Sequence, residues 1–246
     1  MADSGTGTAS SSRRFPTTHW TVIKNAGDPS SPAYRESLEH LAAIYWRPIY
    51  AYFRRKWNKP DPDAKDLTQQ FFAALCEREF LKHLSAEHGR FRSYVMAALD
   101  NFVRLEYRSK SRLKRGGGVV PVALDAMEGF EPSAGDPADQ LFLKEWGRAI
   151  LSQAVGEMEK EYREAGEEKL FKLFVARDLE APAERPPSYE ELARRFGMSV
   201  TDVNNNLFRA RKKLRDLVLI RVRDTVTSDE DAEDELRDLF KGGSIR

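Results

Sequence analysis

Apolar residues recur at spacings of three and four along most of the chain, the pattern of amphipathic α-helices. The first predicted helix runs from about Tyr34 to Trp57, and Pro48 within it predicts a kink or the start of a new helix. Its apolar stripe consists of Leu38, Leu41, Tyr45, Ile49 and Tyr52. Strand-like alternation of useful length is absent from the sequence, so the pattern favours an all-α protein.

Two further helices are predicted before the middle of the chain. One runs from about Asp63 to Glu79, with Asp63 as its N-cap, because a side-chain oxygen at that position accepts a hydrogen bond from the first backbone N–H groups. The next runs from about Arg90 to Leu113. The apolar stripe of the helix from Asp63 consists of Leu67, Phe71, Ala74 and Leu75. The apolar stripe of the helix from Arg90 consists of Phe91, Tyr94 or Val95, Ala98, Phe102 and Leu105.

Residues 116–138 are rich in Gly and Pro and lack periodicity, which indicates a linker between two helical modules. Helices are predicted after it over 139–163 and 167–179, and a proline-rich break then leads into a helix–turn–helix. The predicted fold is therefore all-α, with two small helical domains joined by a flexible linker, the second ending in that helix–turn–helix. The predicted boundaries are a partly disordered extension over 1–33, a first module over 34–115, the linker over 116–138, a second module over 139–223 and an acidic tail over 224–246.

The strongest local motif is this helix–turn–helix. Ser188 and Glu191 form a predicted capping box at the start of its first helix. Gly197 stands where a tight turn needs a positive φ angle, and Ser199 caps the second helix. The side chains predicted to face inward are Leu192, Ala193 and Phe196 in the first helix and Val203, Leu207, Ala210, Leu214 and Leu217 in the second.

The opposite face of the second helix is polar and basic. It carries Thr201, Asn204, Asn205, Arg209, Lys212 and Lys213. A helix–turn–helix presents such a face to the major groove of DNA, where Asn bonds adenine and Arg or Lys reads guanine or neutralises phosphate. The alternative interpretation is an ordinary helical hairpin with a charged outer face.

Charge is segregated along the chain, although the formal net charge is only +1. Residues 99–115 and 204–223 are basic, and residues 228–240 are acidic. The single Cys76 excludes an internal disulfide framework and suits a reducing cytoplasm. The sequence contains no apolar run of membrane-spanning length, no metal-ligand spacing among its histidines and no catalytic constellation. We therefore expect a cytoplasmic protein without a metal, a cofactor or enzymatic activity.

Several segments together resemble the bacterial RNA polymerase sigma factors, specifically the small extracytoplasmic-function class. The helix–turn–helix, with its YEELA, FGMS and RAR segments, resembles the fourth conserved region of that family. The segments YWRPIYAYFRRK, DAKDLTQQFF and GRFRSYVMAALDNFVRLEYRSKSR resemble its second region. The FPTTHWTVI and KRGGG segments are similar to those of sigma factors common in planctomycete-like bacteria. The likeness extends over about residues 34–115 and 139–220.

The resemblance implies partners and site residues. The first module would contact the β′ clamp helices of core RNA polymerase and the minus-ten element of promoter DNA, and the second would read the minus-thirty-five element and lie near the β flap. Implied polymerase contacts are Asp63, Asp66, Gln69 and Gln70. Implied minus-ten contacts are Asn101, Arg104, Arg108, Lys110 and Arg112. Implied minus-thirty-five contacts are Ser199, Thr201, Asn204, Asn205, Arg209, Lys212 and Lys213.

The sequence departs from the family pattern at three places. Lys65 and Gln70 replace common acidic residues, so the face predicted to contact the polymerase is less negative than usual. Thr68 is predicted to lie beside that face, where phosphorylation by a Ser/Thr kinase would add about −1.5 to −2 charges. Three asparagines over 204–206 favour amide readout of adenine, with Asn206 expected to be half-buried near the seam.

Alternatives to this interpretation stay open. One alternative to a sigma factor is a helix–turn–helix regulator that acts without polymerase core binding. Another is an interaction protein that sequesters another factor. Control by an anti-sigma factor or a kinase is also open. The acidic tail, with Leu236, Leu239 and Phe240, either folds back on the basic recognition helix or is disordered.

Overall fold

The structure is a computed structural model that describes residues 20–77, 81, 90–113, 137–182, 184–226 and 228–241. At residues 76, 77, 106–113, 238, 240 and 241 it describes the backbone but not the side chain. Regular structure within these ranges is helical and includes no strand, which confirms the predicted all-α class. None of the described helices combines the length and hydropathy needed to cross a bilayer. The helices are α1 (Thr21–Gly27), α2 (Tyr34–Lys56), α3 (Asp61–Glu77), α4 (Phe91–Leu113), α5 (Pro137–Glu164), α6 (Glu168–Phe174), α7 (Tyr189–Phe196), α8 (Val200–Arg223) and α9 (Asp229–Lys241), with a π-helical turn (Val175–Leu179) after α6.

α2 is the central helix of the N-terminal half. Three residues of its predicted stripe, Tyr45, Ile49 and Tyr52, are almost completely buried. The helix continues through Pro48, which is itself buried, so no new helix begins at that residue. Pro48 therefore does not divide α2 into two helices.

Aromatic side chains join the first four helices. Phe91, the first residue of α4, makes edge-to-face contacts with Trp20 and Tyr45, at ring-centroid distances of 6.2 and 5.2 Å. Phe71 of α3 contacts Phe102 of α4 in the same geometry at 5.5 Å. Edge-to-face pairs add to the stabilisation that burial of apolar area provides. These contacts fix α4 against both α2 and α3.

α3 begins earlier than predicted. It starts at Asp61, so Asp63 lies in the first turn and is not the N-cap. Pro62 fits the first turn because the N–H groups there lack helical partners in any case. Asp61 accepts hydrogen bonds from the Tyr50 hydroxyl at 2.6 Å and from the Lys65 ammonium at 2.9 Å. Pro60 therefore immediately precedes α3, and Pro62 lies in its first turn.

α5 packs along α2 and joins the two halves of the chain. Phe142 of α5 is fully buried, with its ring 6.4 Å from Tyr45 and 6.3 Å from Tyr52. At the edge of the contact, Arg47 lies 3.8 Å from Glu145. One hydrophobic core thus runs through both predicted modules. The predicted linker lies almost entirely outside the described residues, and the module boundaries stay predictions.

The helix predicted over 167–179 consists of α6 and the π-helical turn. Arg177, in this turn, donates a hydrogen bond to the carbonyl of Pro187 at 2.9 Å and stacks on the ring of Tyr189 at 5.3 Å. A π-helical turn changes the direction of the side chains that follow it. The two contacts of Arg177 therefore tie the π-helical turn to the start of α7.

The acidic tail forms the helix α9, which docks on other helices of the protein. Ala232 and Leu236 of α9 are buried, and Leu239 packs against the core. α9 contacts the start of α4, the middle of α5 and α8. The alternative of a disordered tail is wrong for residues 229–241, which form a helix with buried apolar residues. The other alternative, a tail folded back on the basic second helix of the helix–turn–helix, is met in part, because α9 contacts α8 and Asp229 lies 2.8 Å from Arg223 at the C-terminal end of α8.

Candidate nucleic-acid interface

Two capping boxes define the helix–turn–helix. The Glu191 N–H donates to Ser188 Oγ at 3.2 Å, and the Ser188 N–H donates to the Glu191 carboxylate at 2.7 Å. Ser199 and Asp202 repeat this arrangement at the start of α8, at 3.0 and 3.3 Å. Gly197 ends α7 with a φ angle of 57°, in the left-handed region that favours glycine. The predicted caps and turn are confirmed.

The predicted seam of α8 is buried in full. Its members Val203, Leu207, Ala210, Leu214 and Leu217 are at most 7% exposed. On α7, Leu192 and Ala193 are buried, and Phe196 packs half-buried against the core. Because the seam fixes the rotation of α8 about its axis, it decides which side chains of this helix face the solvent.

The opposite face of α8 is exposed. The predicted contacts that lie on it are Thr201, Asn204, Asn205, Arg209 and Lys212. At about 100° per residue, Thr201, Asn205 and Lys212 point within about 40° of one another. Asn206 is half-buried, as predicted, and its amide donates to the carbonyl of Asp202 at 2.8 Å. The arrangement leaves a row of amide and basic groups accessible at the N-terminal half of the helix, where a major-groove reader needs them.

Two predicted DNA contacts are engaged within the protein. The Ser199 hydroxyl donates to the Asp202 carboxylate at 2.7 Å, so it acts as a cap, although the residue is exposed. Lys213 is half-buried, with its ammonium 2.5 Å from Glu161 and 5.0 Å from the ring of Tyr162. Lys213 therefore does not lie on the exposed face, because its side chain leaves α8 about 120° from Thr201 and meets α5.

Phe208 is the residue that sequence reasoning missed on this face. Its side chain is 68% exposed, although large apolar residues of α8 are otherwise mostly buried. It lies between Asn205 and Lys212 on the same side of the helix. An aromatic ring at this position can contact the methyl group of thymine in the major groove. The sequence could have placed Phe208 on this face, because it lies three residues after Asn205 and four residues before Lys212.

The predicted polymerase-contacting face on α3 is exposed. Asp63, Asp66 and Gln69 are exposed, and Gln70 is half-buried with its amide donating to Asp66 at 2.7 Å. Lys65 forms its ion pair with neither Asp63 nor Asp66. It pairs with Asp61, one turn earlier. The hydrogen bond from Tyr50 and then the one from Lys65 lower the pKa of Asp61, so this carboxylate stays ionised. The N-terminal half of α3 therefore keeps an acidic surface.

Thr68 does not lie beside that face. Its side chain is fully buried, and its hydroxyl donates to the carbonyl of Ala64 at 2.6 Å. A phosphate at this position would have to be placed in the apolar interior, which strongly disfavours charge. The folded protein thus does not present Thr68 to a kinase, contrary to the prediction.

α4 presents part of the predicted minus-ten surface. Arg104 is exposed and Asn101 is half-buried. The side chains of Arg108, Lys110 and Arg112 lie outside the described residues. Tyr94 is half-buried against the core, and burial raises its pKa to about 12.

A buried ionic network on α4 was also missed. Asp100 is 5% exposed and accepts a hydrogen bond from the Tyr52 hydroxyl at 2.9 Å. The Lys56 ammonium lies 3.2 Å from the same carboxylate. A buried carboxylate is tolerated only when it is paired and hydrogen-bonded in this way. The network holds α4 against α2 and thereby positions the exposed face of α4.

A comparison with protein families matches residues 188–214 to the family model described as Sigma-70, region 4. These residues are α7, the turn and the first part of α8. The comparisons with curated proteins and with solved structures give no match. The match supports a sigma factor with a DNA-binding region, and it falls on the segment whose caps, turn and exposed face are described above.

Proposed function

We propose that the chain is a sigma factor of the extracytoplasmic-function class that directs core RNA polymerase to promoters and initiates transcription in the cytoplasm. One observation carries this proposal: the segment similar to sigma-70 region 4 folds as a doubly capped helix–turn–helix and leaves its polar face open to solvent. In this proposal α8 enters the major groove at the minus-thirty-five element.

The groups on α8 support a specific kind of readout. Asn204 and Asn205 offer amides that bond both exposed atoms of an adenine edge, and Phe208 offers an apolar contact to thymine. Arg209 and Lys212 neutralise phosphates or read guanine. A recognition site rich in A·T pairs fits this set best.

The N-terminal half supports the contact with polymerase. The exposed acids Asp63 and Asp66 suit the arginine-bearing surface of a partner, because charge-assisted hydrogen bonds to carboxylates are strong. Arg104 on α4 faces solvent and suits a DNA phosphate. We propose the β′ clamp helices as the partner of α3 and the minus-ten element as the partner of α4.

The test is transcription in vitro with purified core polymerase and a promoter library, with the selected start sites read by sequencing. We expect the protein to bind the core and to select defined start sites. Asp66→Lys should lower core binding at least tenfold, whereas Glu36→Lys, which makes the same charge change on the exposed part of α2, should not. DNA binding by the protein alone without any association with core polymerase would instead identify a helix–turn–helix regulator.

A further inference from the structure

Phe208 is the most exposed large apolar side chain among the described residues. It is 68% exposed, whereas the next in order, Ile220 of the same helix, is 42% exposed. The ring of Phe208 does not pack against the hydrophobic core, and no described aromatic ring or cation stacks on it. The side chain therefore contributes little to folding and is free to contact a ligand.

Two asparagine amides flank this ring. Asn204 and Asn205 precede Phe208 by four and three residues, so their side chains are its neighbours on the exposed face of α8. The amide of Asn206 has a fixed orientation, because it donates to the carbonyl of Asp202 at 2.8 Å. Within the part of the chain that the structure describes, no hydrogen bond fixes the amides of Asn204 and Asn205. Each can therefore turn either its carbonyl oxygen or its NH₂ group toward a ligand.

The surface thus combines an apolar ring with groups that both donate and accept hydrogen bonds. In the major groove, the C5-methyl group of thymine lies beside O4, which is an acceptor. 5-Methylcytosine carries the same methyl group beside the N4 amino group of cytosine, which is a donor. Side chains three or four residues apart on a helix lie about 5–6 Å apart at their Cβ atoms, so a ring and an amide can contact two adjacent groups of one base. An amide that turns either way accommodates both bases.

We infer that Phe208 and its flanking amides recognise the C5-methyl group itself, so that the protein also reads 5-methylcytosine in promoter DNA. This inference rests on the proposed function, in which α8 enters the major groove. Unmethylated cytosine presents the same amino group without the methyl and leaves the ring in contact with water. Methylation of one promoter cytosine therefore raises the affinity of the protein for that promoter and increases transcription from it.

The expected effect follows from the size of one methyl group. Transfer of a methyl-sized group from water to an apolar contact corresponds to about a fourfold change in an equilibrium constant. Arg209 and Lys212 contact phosphates or other bases in the proposed complex, so methylation does not change their contribution. A difference between the methylated and unmethylated forms of one sequence therefore isolates the contact with the ring.

The first test compares two forms of cytosine at each position of a bound site. The full-length protein with core polymerase selects duplexes from a random pool, and each T·A pair of a selected site is replaced in turn by C·G, with the cytosine either unmethylated or methylated at C5. At one position, the methylated form should bind about fourfold more tightly. Phe208→Ala should abolish this difference, and Ile220→Ala, which removes a second exposed apolar side chain of α8, should retain it. The inference is overturned if methylation has no effect at any position, or if its effect persists in Phe208→Ala.

The second test changes the hydrogen-bonding character of the amides. A carboxylate only accepts hydrogen bonds, so it favours the N4 amino group of 5-methylcytosine over O4 of thymine. Asn204→Asp or Asn205→Asp should shift the ratio of the two affinities toward 5-methylcytosine by at least about fivefold. Asn206→Asp adds the same charge beside them and should leave the ratio unchanged, because this side chain is turned toward the backbone of α8. An unchanged ratio in both of the exposed variants would refute the role of the amides.

Association with core polymerase separates this inference from the proposed function. If the protein selects start sites with core polymerase and methylation has no effect, the inference fails alone. If the protein binds DNA but not core polymerase, the proposed function fails, and the comparison of methylated and unmethylated duplexes still decides the inference. Failure to bind any duplex overturns both.

Discussion

Arg211 donates two hydrogen bonds to the carboxylate of Asp178, at 2.8 and 3.1 Å, and so ties α8 to the π-helical turn. The carboxylate of Asp178 is nearly buried, and the pair raises the pKa of Arg211 above its usual value. A bidentate pair of this kind fixes orientation as well as distance. It sets the position of α8 relative to α6 and α7, on which the direction of the exposed face depends.

Arg211→Ala should lower the free energy of unfolding by about 1–3 kcal/mol, because the nearly buried carboxylate of Asp178 loses its partner. Arg209→Ala, two residues earlier on the exposed face, should change it by less than about 0.5 kcal/mol and instead weaken DNA binding. Urea denaturation and DNA titration of both variants check this. Equal stability of the two variants would contradict the structural role of Arg211.

Lys212 and Lys213 should differ although they are adjacent. Lys212 is exposed on the recognition face, so Lys212→Ala should reduce the slope of log affinity against log salt concentration by about 1, the loss of one phosphate contact. Lys213 pairs with Glu161, so Lys213→Ala should leave that slope unchanged. The measurement is DNA affinity over a series of salt concentrations. A reduced slope for Lys213→Ala and an unchanged one for Lys212→Ala would reverse the assignment.

Phe208 should make the protein sensitive to thymine methyl groups. Replacing thymines of a bound site one at a time with deoxyuridine removes only the methyl, and the parent protein should lose several-fold in affinity at one position. Phe208→Ala should bind both versions of that position equally, since the ring that contacts the methyl is gone. Competition binding measures the difference. Sensitivity to deoxyuridine that persists in Phe208→Ala would assign the contact to another residue.

Stability should depend on pH through Asp224. Burial raises the pKa of this carboxyl at the end of α8 to about 6, an effect that Arg221 partly offsets. The folded protein binds more protons than the unfolded chain between about pH 4 and 6, so this group lowers stability as pH rises through that window. Asp224→Asn should therefore stabilise the protein by about 1–3 kcal/mol at pH 7.5, in the lower part of the range because solvent screens this partly exposed carboxylate, and have little effect at pH 4. Thermal unfolding at both pH values, with the exposed Asp216→Asn as control, provides the check.

The helix–turn–helix was predicted well because its signals are local. Capping boxes and a glycine turn depend on residues three or four apart, and the seam of α8 follows from helical periodicity alone. The placements of Lys213 and Thr68 were wrong for the opposite reason. Each was assigned from its own helix, whereas its environment comes from packing, against α5 for Lys213 and within the core for Thr68.

The sequence by itself determined the all-α class, the helix–turn–helix, and which side of α8 carries polar groups, because side-chain periodicity and caps act within one helix. The tertiary structure alone decided that α9 docks on Arg90 and Arg92, that Gly147 admits Leu239, and that Asp100 is buried with Lys56. These contacts join residues far apart in the chain. No local pattern specifies them, because they form only when long-range packing brings complementary charge and shape together.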